Sequence, residues 1–414
     1  MSRTSSLQIS LMNQNHTNNQ CTPTFKRLWN RDFTMLVIAE VMLCMSCYMA
    51  IPLLPQRLAV SHGISMECAS ATMIAFVVGI CVSGFFSSWL IQRYRRNKVF
   101  CISALCLGLT IATMFVLTDR TAGFTVAIRD VEAIAIFLTC GFFFGNAKRV
   151  LSCTLLIDKT ESCHRTEANY TAIWTSRLAI VAGPMAALAL TNEARTSLIY
   201  TIAAVAVLLS MLLVLSVRFP FRAPEEGTRI LSLDRFFMLR GWSTTIVVML
   251  MAAALGLLIA TKQDIEFYLF MISGFVISIM VLQYAVVRTG RYTSAVGNAC
   301  ILVAMAAMLS YHGWAEDTLC PILLGMGFGL TSSEQLYKLL DHCDHCQRST
   351  AESTYFMASD GGLFVGIAIG WAGEYGLGSQ AAYGAHLALI LFAVATLTCS
   401  VNAIIKKGHK DYHA

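Results

Sequence analysis

The sequence predicts an all-α membrane protein, with twelve transmembrane helices in two pseudo-symmetric six-helix bundles. Three observations carry that reading. The first is composition: 56% of the 414 residues are hydrophobic, 13% are charged, and the mean hydropathy is +0.63. A soluble domain carries about 25% charged residues, so much of this surface must face lipid. The second is a series of twelve apolar stretches, each near the ~20 residues that a helix needs to cross the hydrocarbon core. The third is an internal repeat, in which Gly141 to Pro184 overlies Gly325 to Ile367 at a constant offset. The overlay pairs Asp158 with Asp341, Cys163 with Cys346, Arg165 with Arg348, Ala168 with Ala351, Ser176 with Ser359 and Gly183 with Gly366. After a one-residue shift it also pairs Gly141 and Gly145 with Gly325 and Gly329. Each copy is an apolar run, a short charged loop with an arginine, and a second apolar run: one helical hairpin per half.

Inside lipid a segment must satisfy its own backbone polar groups, so each apolar stretch is read as a helix. Residues 1–30 are polar and Asn-rich, without the charged-then-apolar-then-small order of a cleaved signal, and are expected to form a disordered cytoplasmic tail. The first bundle, 31–218, holds helices with cores at 33–54, 68–91, 98–118, 133–157, 168–190 and 196–218. The longest connection, 219–241, contains Pro220 and Pro224 among mixed charges and separates the bundles as a cytoplasmic linker. The second bundle, 242–405, holds cores at 242–261, 266–288, 292–312, 317–340, 351–372 and 379–405, and 406–414 is a second cytoplasmic tail.

Most of the 30 lysines and arginines fall in alternate connections, including Arg93, Arg95, Arg96 and Lys98 after helix 2, and Arg218, Arg222, Arg229, Arg235 and Arg240 in the linker. Loops rich in these residues stay in the cytoplasm. Both termini are therefore expected in the cytoplasm and the protein in the cytoplasmic (inner) membrane. This placement accounts for the net charge of +6 without a nucleic-acid partner. The 15 cysteines lie scattered through apolar runs, where they act as small buried residues, and imply no disulfide framework.

Twelve helices, a basic central loop and a parallel duplication resemble the major facilitator superfamily of secondary transporters. The loop SWLIQRYRRNK from Ser88 is similar to that family's G-x-L-x-D-R-x-G-R-R/K signature through Leu90, Arg93 and Arg96, with Gln92 at the aspartate position. QYAVVRTGRY from Gln283 repeats it through Arg288, Gly290 and Arg291, with Val287 at that position. Gly183 and Pro184 resemble the glycine-proline signature of helix 5, and the phrases FPFRAP and SLDRFF resemble a bacterial branch. The resemblance implies that Arg93, Arg96, Arg165, Arg288, Arg291 and Arg348 are cytoplasmic-loop scaffold. It also implies a substrate cavity between the halves, lined by helices 1, 4, 7 and 10, and a cytoplasmic latch altered by loss of both aspartates.

An ionisable side chain at the bilayer centre costs about 2.5–3.5 kcal/mol on insertion scales, so such residues face a cavity or a partner. Glu40, Lys148 and Arg149 each fall roughly 13–15 Å from the cytoplasmic boundary at 1.5 Å rise per residue. Glu334 in helix 10 lies slightly nearer that boundary, beside Ser333, the repeat position of Arg149. Two bases and two acids are thus expected to meet in one layer. Lys148, Arg149, Glu334 and Ser333 are the candidate substrate contacts, Arg149 foremost because a guanidinium binds carboxylate or phosphate in a bidentate fork. Glu40 is the candidate proton carrier. Arg177 and Asp360 occupy equivalent repeat positions and are candidates for a charge bridge that gates or couples the halves. A structural ion-pair network is the alternative for all of them.

The loop DHCDHCQR places His342, Cys343, His345 and Cys346 together, and Cys163 and His164 occupy the matching loop. One C-x-x-C with nearby histidines leaves zinc binding open without establishing it, and no metal or cofactor is assigned. There is no G-x-x-x-x-G-K-S/T nucleotide loop, H-E-x-x-H or G-x-S-x-G, so neither ATP hydrolysis nor a membrane enzyme is expected. The sequence-level expectation is a monomeric secondary transporter embedded in the bilayer, moving a small polar or anionic solute by alternating access with the proton as coupling ion. Proton-driven efflux of amphipathic drugs, and a non-transporting sensor of the same fold, remain as alternatives.

Overall fold

The computed structural model describes residues 28–51, 66–118, 130–161, 164–190, 196–220, 227–233, 235–262, 264–284, 293–310, 313–341, 343, 347–376 and 388–396. Its helices are α1 (Arg31–Ala50), α2 (Met66–Arg93), α3 (Arg96–Thr118), α4 (Asp130–Val150), α5 (Arg165–Leu190) and α6 (Thr196–Ser216), then α7 (Trp242–Thr261), α8 (Ile265–Tyr284), α9 (Thr293–Ser310), α10 (Cys320–Asp341), α11 (Arg348–Gly376) and α12 (388–396). Ten of them are long and apolar enough to cross a membrane. All twelve follow the predicted order.

Local chemistry sets several helix ends. The side chain of Asn30 accepts a hydrogen bond of 2.9 Å from the Phe33 amide, capping α1, and Asp32 places a negative charge in its first turn. α4 runs without a break through a π-helical turn, Leu151–Leu155, to Asp158. A turn of this type inserts one residue and rotates the remainder of the helix, frequently at functional sites. This one comes directly after Lys148 and Arg149.

The repeated glycines explain why the two halves pack alike. A methyl group on Gly141 would collide with the Phe76 carbonyl of α2, and one on Gly325 with the Met271 carbonyl of α8. One turn further on, Gly145 faces Ser83 of α2 and Gly329 faces Ser278 of α8. The first helix of each hairpin is thereby pressed backbone to backbone against its neighbour. Gly183 does the same between α5 and the Tyr48 backbone of α1.

Within the first half α1 packs on α5 and α6, α2 on α4, and α3 on α4 and α6; within the second, α7 packs on α11, and α10 on α8 and α9. The halves meet where α2 lies against α11 and α5 against α8. α7 and α11 are the most enclosed helices, whereas α6 exposes Leu208, Leu209, Leu212 and Leu215, an apolar face suited to lipid. At the end of the bundle that carries the connection between α6 and α7, here the linker side, Arg96 pairs with Asp158, and Lys159 pairs with Asp32 at 2.6 Å. These pairs tie the ends of α2/α3 and α1 to the end of α4, in the region where the family's latch was expected to be altered. Arg93 and Arg165 are exposed and Arg348 is half-buried at the same side; Arg288 and Arg291 lie outside the described residues. So do Cys163, His342, His345 and Cys346, while the Cys343 thiol lies 3.0 Å from the Met238 sulfur and 3.2 Å from the Leu339 carbonyl.

Candidate functional site

Among the described residues, six acidic or basic side chains are buried along the seam between the halves: Glu40 on α1, Lys148 and Arg149 on α4, Arg177 on α5, and Glu352 and Asp360 on α11. At its centre the Lys148 ammonium stands 2.7 Å from Asp360 Oδ2 and 2.8 Å from Oδ1. The Tyr48 hydroxyl donates to Asp360 Oδ1 at 2.6 Å and accepts from Lys148 at 3.0 Å. Three helices from both halves thus meet on one carboxylate. Rings enclose the ion pair. Lys148 Nζ lies 4.7 Å from the centroid of Phe356 and 5.6 Å from those of Tyr48 and Phe144, distances at which a ring face attracts a cation. Phe364, one turn beyond Asp360 on α11, stacks on Tyr48 at 6.1 Å and meets Phe76 edge-on at 4.6 Å.

Arg149 points elsewhere, as a neighbour about 100° around the helix must. Its Nε donates to Ser353 of α11 at 2.9 Å, Nη1 to Ser83 at 3.2 Å and Nη2 to the Ile80 carbonyl at 3.4 Å. Among the described residues it has no carboxylate partner, so its charge is held by neutral groups. Phe236 of the linker segment covers it at 5.0 Å. That ring fits because residue 84 is glycine: a methyl group there would overlap the Phe236 ring. The linker is held in place by hydrogen bonds from the Ser232 amide to the Phe85 carbonyl (3.1 Å) and from the Met238 amide to Thr354 (2.9 Å). Arg235 at φ 59° makes the bend that aims Phe236 inward.

Glu40 accepts a 2.8 Å hydrogen bond from Ser152, a residue of the π-helical turn, on Oε1; among the described residues no hydrogen bond is made to its Oε2, and the Thr175 side chain of α5 lies near the carboxyl. Ser333 accepts from the Trp174 indole at 3.1 Å, a further bond from α5 to α10.

Two expected pairings are corrected. Glu334 does not join the layer of Glu40, Lys148 and Arg149; it pairs with Lys338 at 2.8 Å, one turn along its own helix. Spacing of four residues on one helix puts the two side chains on one face, and this near partner wins. Asp360 is not bridged to Arg177. Arg177 donates to the Tyr355 hydroxyl at 2.8 Å, five positions nearer the linker side, and Asp360 is taken by Lys148 and Tyr48. Helical register is the reason: α5 presents Arg177 to an earlier turn of α11 than the one carrying Asp360. Glu352 was not singled out from the sequence, where an acid near the start of a helix reads as a complement to the helix dipole. The asymmetry of the repeat was the available signal, because Asn169 stands at the equivalent position of the first half.

A bundle of membrane-spanning helices in two like halves, with buried charges bonded across the plane between them, has the architecture of a membrane transporter. The chain belongs to the Major Facilitator Superfamily, whose sequence profile matches residues 36–367. Among solved structures it is similar to the POT family transporter PepTSo, with a TM-score of 0.62 and 12% identity over 91% of this chain and 99% of that one. It is likewise similar to a bacterial homologue of the iron transporter ferroportin (TM-score 0.62, 14% identity, 89% and 98% covered). The human organic anion transporter MFSD10 is a third similar structure (TM-score 0.59, 13% identity, 88% and 99% covered). At these identities the likeness shows the fold. No curated protein sequence matches the chain.

Proposed function

We propose that the protein is a proton-coupled secondary transporter of a small polar or anionic solute, working by alternating access as a monomer in the cytoplasmic membrane, with the linker side facing the cytoplasm. The observation that carries this reading is the contrast between the two adjacent bases of α4. Lys148 is paired with Asp360 across the seam, whereas Arg149 is oriented by Ser83 and Ser353 and has no carboxylate among the described residues in direct contact with it. An anionic group is what such a guanidinium binds, through its two-pronged donors.

The chemistry is set by where the bonds lie. Lys148–Asp360, Tyr48–Asp360, Arg149–Ser353, Arg177–Tyr355 and Trp174–Ser333 all join the first half to the second. Opening the seam breaks them, and a bound solute anion on Arg149 together with a proton on a carboxyl compensates for the charges left behind. Binding energy that differs between the two openings is what shifts such an equilibrium. Glu40, fully buried and with no hydrogen bond to Oε2 among the described residues, supplies a place for the proton.

The test is a solute screen in proteoliposomes with an imposed pH gradient. Accumulation of an anionic or polar solute that collapses with the gradient, and is lost in Arg149→Gln, supports the reading. Gradient-independent equilibration, or binding without flux, contradicts it.

A further inference from the structure

We propose that linker residues 235–241 form a strap that closes the Arg149 site from the linker side, with Phe236 as its plug, and that the plug must leave before a solute can reach Arg149 from that side. Its part in turnover rests on the transporter reading above, whereas the closure itself does not.

The strap is anchored to both halves of the chain. On the first half, the Ser232 amide just ahead of it donates to the Phe85 carbonyl of α2 at 3.1 Å, and the Phe236 ring meets that of Phe85 at 5.3 Å. On the second half, the Met238 amide donates to the Thr354 hydroxyl of α11 at 2.9 Å, and the Phe236 carbonyl stands 3.3 Å from the same hydroxyl. Met238 also brings its sulfur within 3.0 Å of the Cys343 thiol, and Gly241 packs closely on Leu339 of α10. The ion pairs on this side, Arg96 with Asp158 and Lys159 with Asp32, join residues of the first half only. The strap crosses between the halves.

Its burial is selective. Phe236 and Met238 are 3% and 4% exposed, whereas Leu233 and Leu239 beside them are 45% and 66% exposed. Apolar burial alone would take a leucine as readily. The ring instead goes where a cation lies, 5.0 Å from the Arg149 guanidinium carbon, a distance at which a ring attracts it. Gly84 leaves room for the ring, and the left-handed conformation of Arg235 turns the chain toward it. A ring shields the guanidinium without forming an ion pair that an arriving anion would have to break.

The strap cannot keep both sets of anchors when the halves part on this side. It runs directly into α7, and Thr354 holds it at two backbone positions, so it travels with the second half. Phe236 is then drawn out of the groove at Gly84 by the same movement that separates Arg149 from Ser353. Uncovering the guanidinium and releasing it are one event.

The experiment labels arginines of the full-length protein in sealed membrane vesicles, without any solute, using a sulfonated phenylglyoxal that does not cross the bilayer. The reagent is given to the face from which the exposed Arg93 and Arg240 react, and their rates in the same digest set the scale. Arg149 should react slowly in the wild type. Phe236→Ala should raise its relative rate about tenfold or more, for the loss of a buried ring, and Thr354→Val about fivefold, for the loss of one hydrogen bond. Gly84→Ala should raise it too, by displacing the ring while strap and arginine stay intact. With the reagent on the opposite face, the Arg149 rate should be the same in all four proteins. An unchanged rate in Phe236→Ala overturns the proposal, as does a rise in that variant alone, since the ring would then be a fixed neighbour held by no strap. A rise from both faces also overturns it, because it reports general loosening. Should Phe236→Ala fail to fold, Thr354→Val and Gly84→Ala decide, and no rise in either sinks the strap. Unchanged labelling in a protein that accumulates solute removes the strap and leaves the transporter reading standing; the expected labelling in a protein that moves no solute does the reverse.

Discussion

Lys148 and Asp360 come from opposite halves of the chain, 212 positions apart, and meet at 2.7 Å in a site where neither side chain is more than 3% exposed. A buried pair of this kind gains little net stability, since desolvation offsets the attraction, but losing one partner leaves an uncompensated charge at a cost of about 3–5 kcal/mol. Lys148→Met should therefore lower the thermal stability of the purified protein sharply. The double variant Lys148→Met/Asp360→Leu should recover most of that loss while remaining inactive, a combination readable by thermal unfolding alongside flux.

Tyr48→Phe removes one hydroxyl and keeps the ring that stacks on Phe364. Hydrogen bonds to charged groups contribute about 1.5–3 kcal/mol. The expected stability loss is of that size, smaller than for Lys148→Met. An unchanged unfolding temperature would mean that the hydroxyl does not bind Asp360.

The glycines give a graded series. Gly141→Ala and Gly325→Ala put a methyl into the backbone carbonyls of Phe76 and Met271, which cannot swing away, whereas at Gly361 the nearest atom is a Val77 methyl at 3.5 Å. The first two should destabilise by about 1–3 kcal/mol, as overpacking does, and Gly361→Ala should be close to neutral. Gly84→Ala should instead displace Phe236, seen as faster proteolysis of the segment between α6 and α7. Equal effects at all four positions would argue against the packing described.

Arg149→Lys keeps the charge but loses the planar fork that reaches Ser353, Ser83 and the Ile80 carbonyl together. Once a solute is in hand, its KM should rise in Arg149→Lys more than its maximal rate falls. A KM equal to the wild type would remove Arg149 from the binding site.

Much of the fold was legible because lipid imposes a length and a composition on every crossing segment, and because the duplicated glycines Gly141/Gly325 and Gly145/Gly329 mark the same close contacts in both halves. Burial of Glu40, Lys148 and Arg149 was legible for the same reason: few charges fall inside apolar runs. Partner choice was not. Whether Asp360 meets Arg177 or Lys148 depends on which turns of α4, α5 and α11 face one another, a tertiary register that repeat equivalence does not encode. The π-helical turn that brings Ser152 to Glu40 leaves no composition signal in LSCTL. The Glu334–Lys338 pair, by contrast, was readable from its spacing alone.

The most direct test of coupled transport through this seam is pH-gradient-driven solute accumulation in proteoliposomes, compared between the wild type and Asp360→Asn. Asp360 holds Lys148 and Tyr48 at the seam between the halves, so the account predicts accumulation by the wild type that is abolished in Asp360→Asn when flux is compared per molecule of folded protein, the variant being less stable because Lys148 loses its partner. Undiminished accumulation in Asp360→Asn would contradict it.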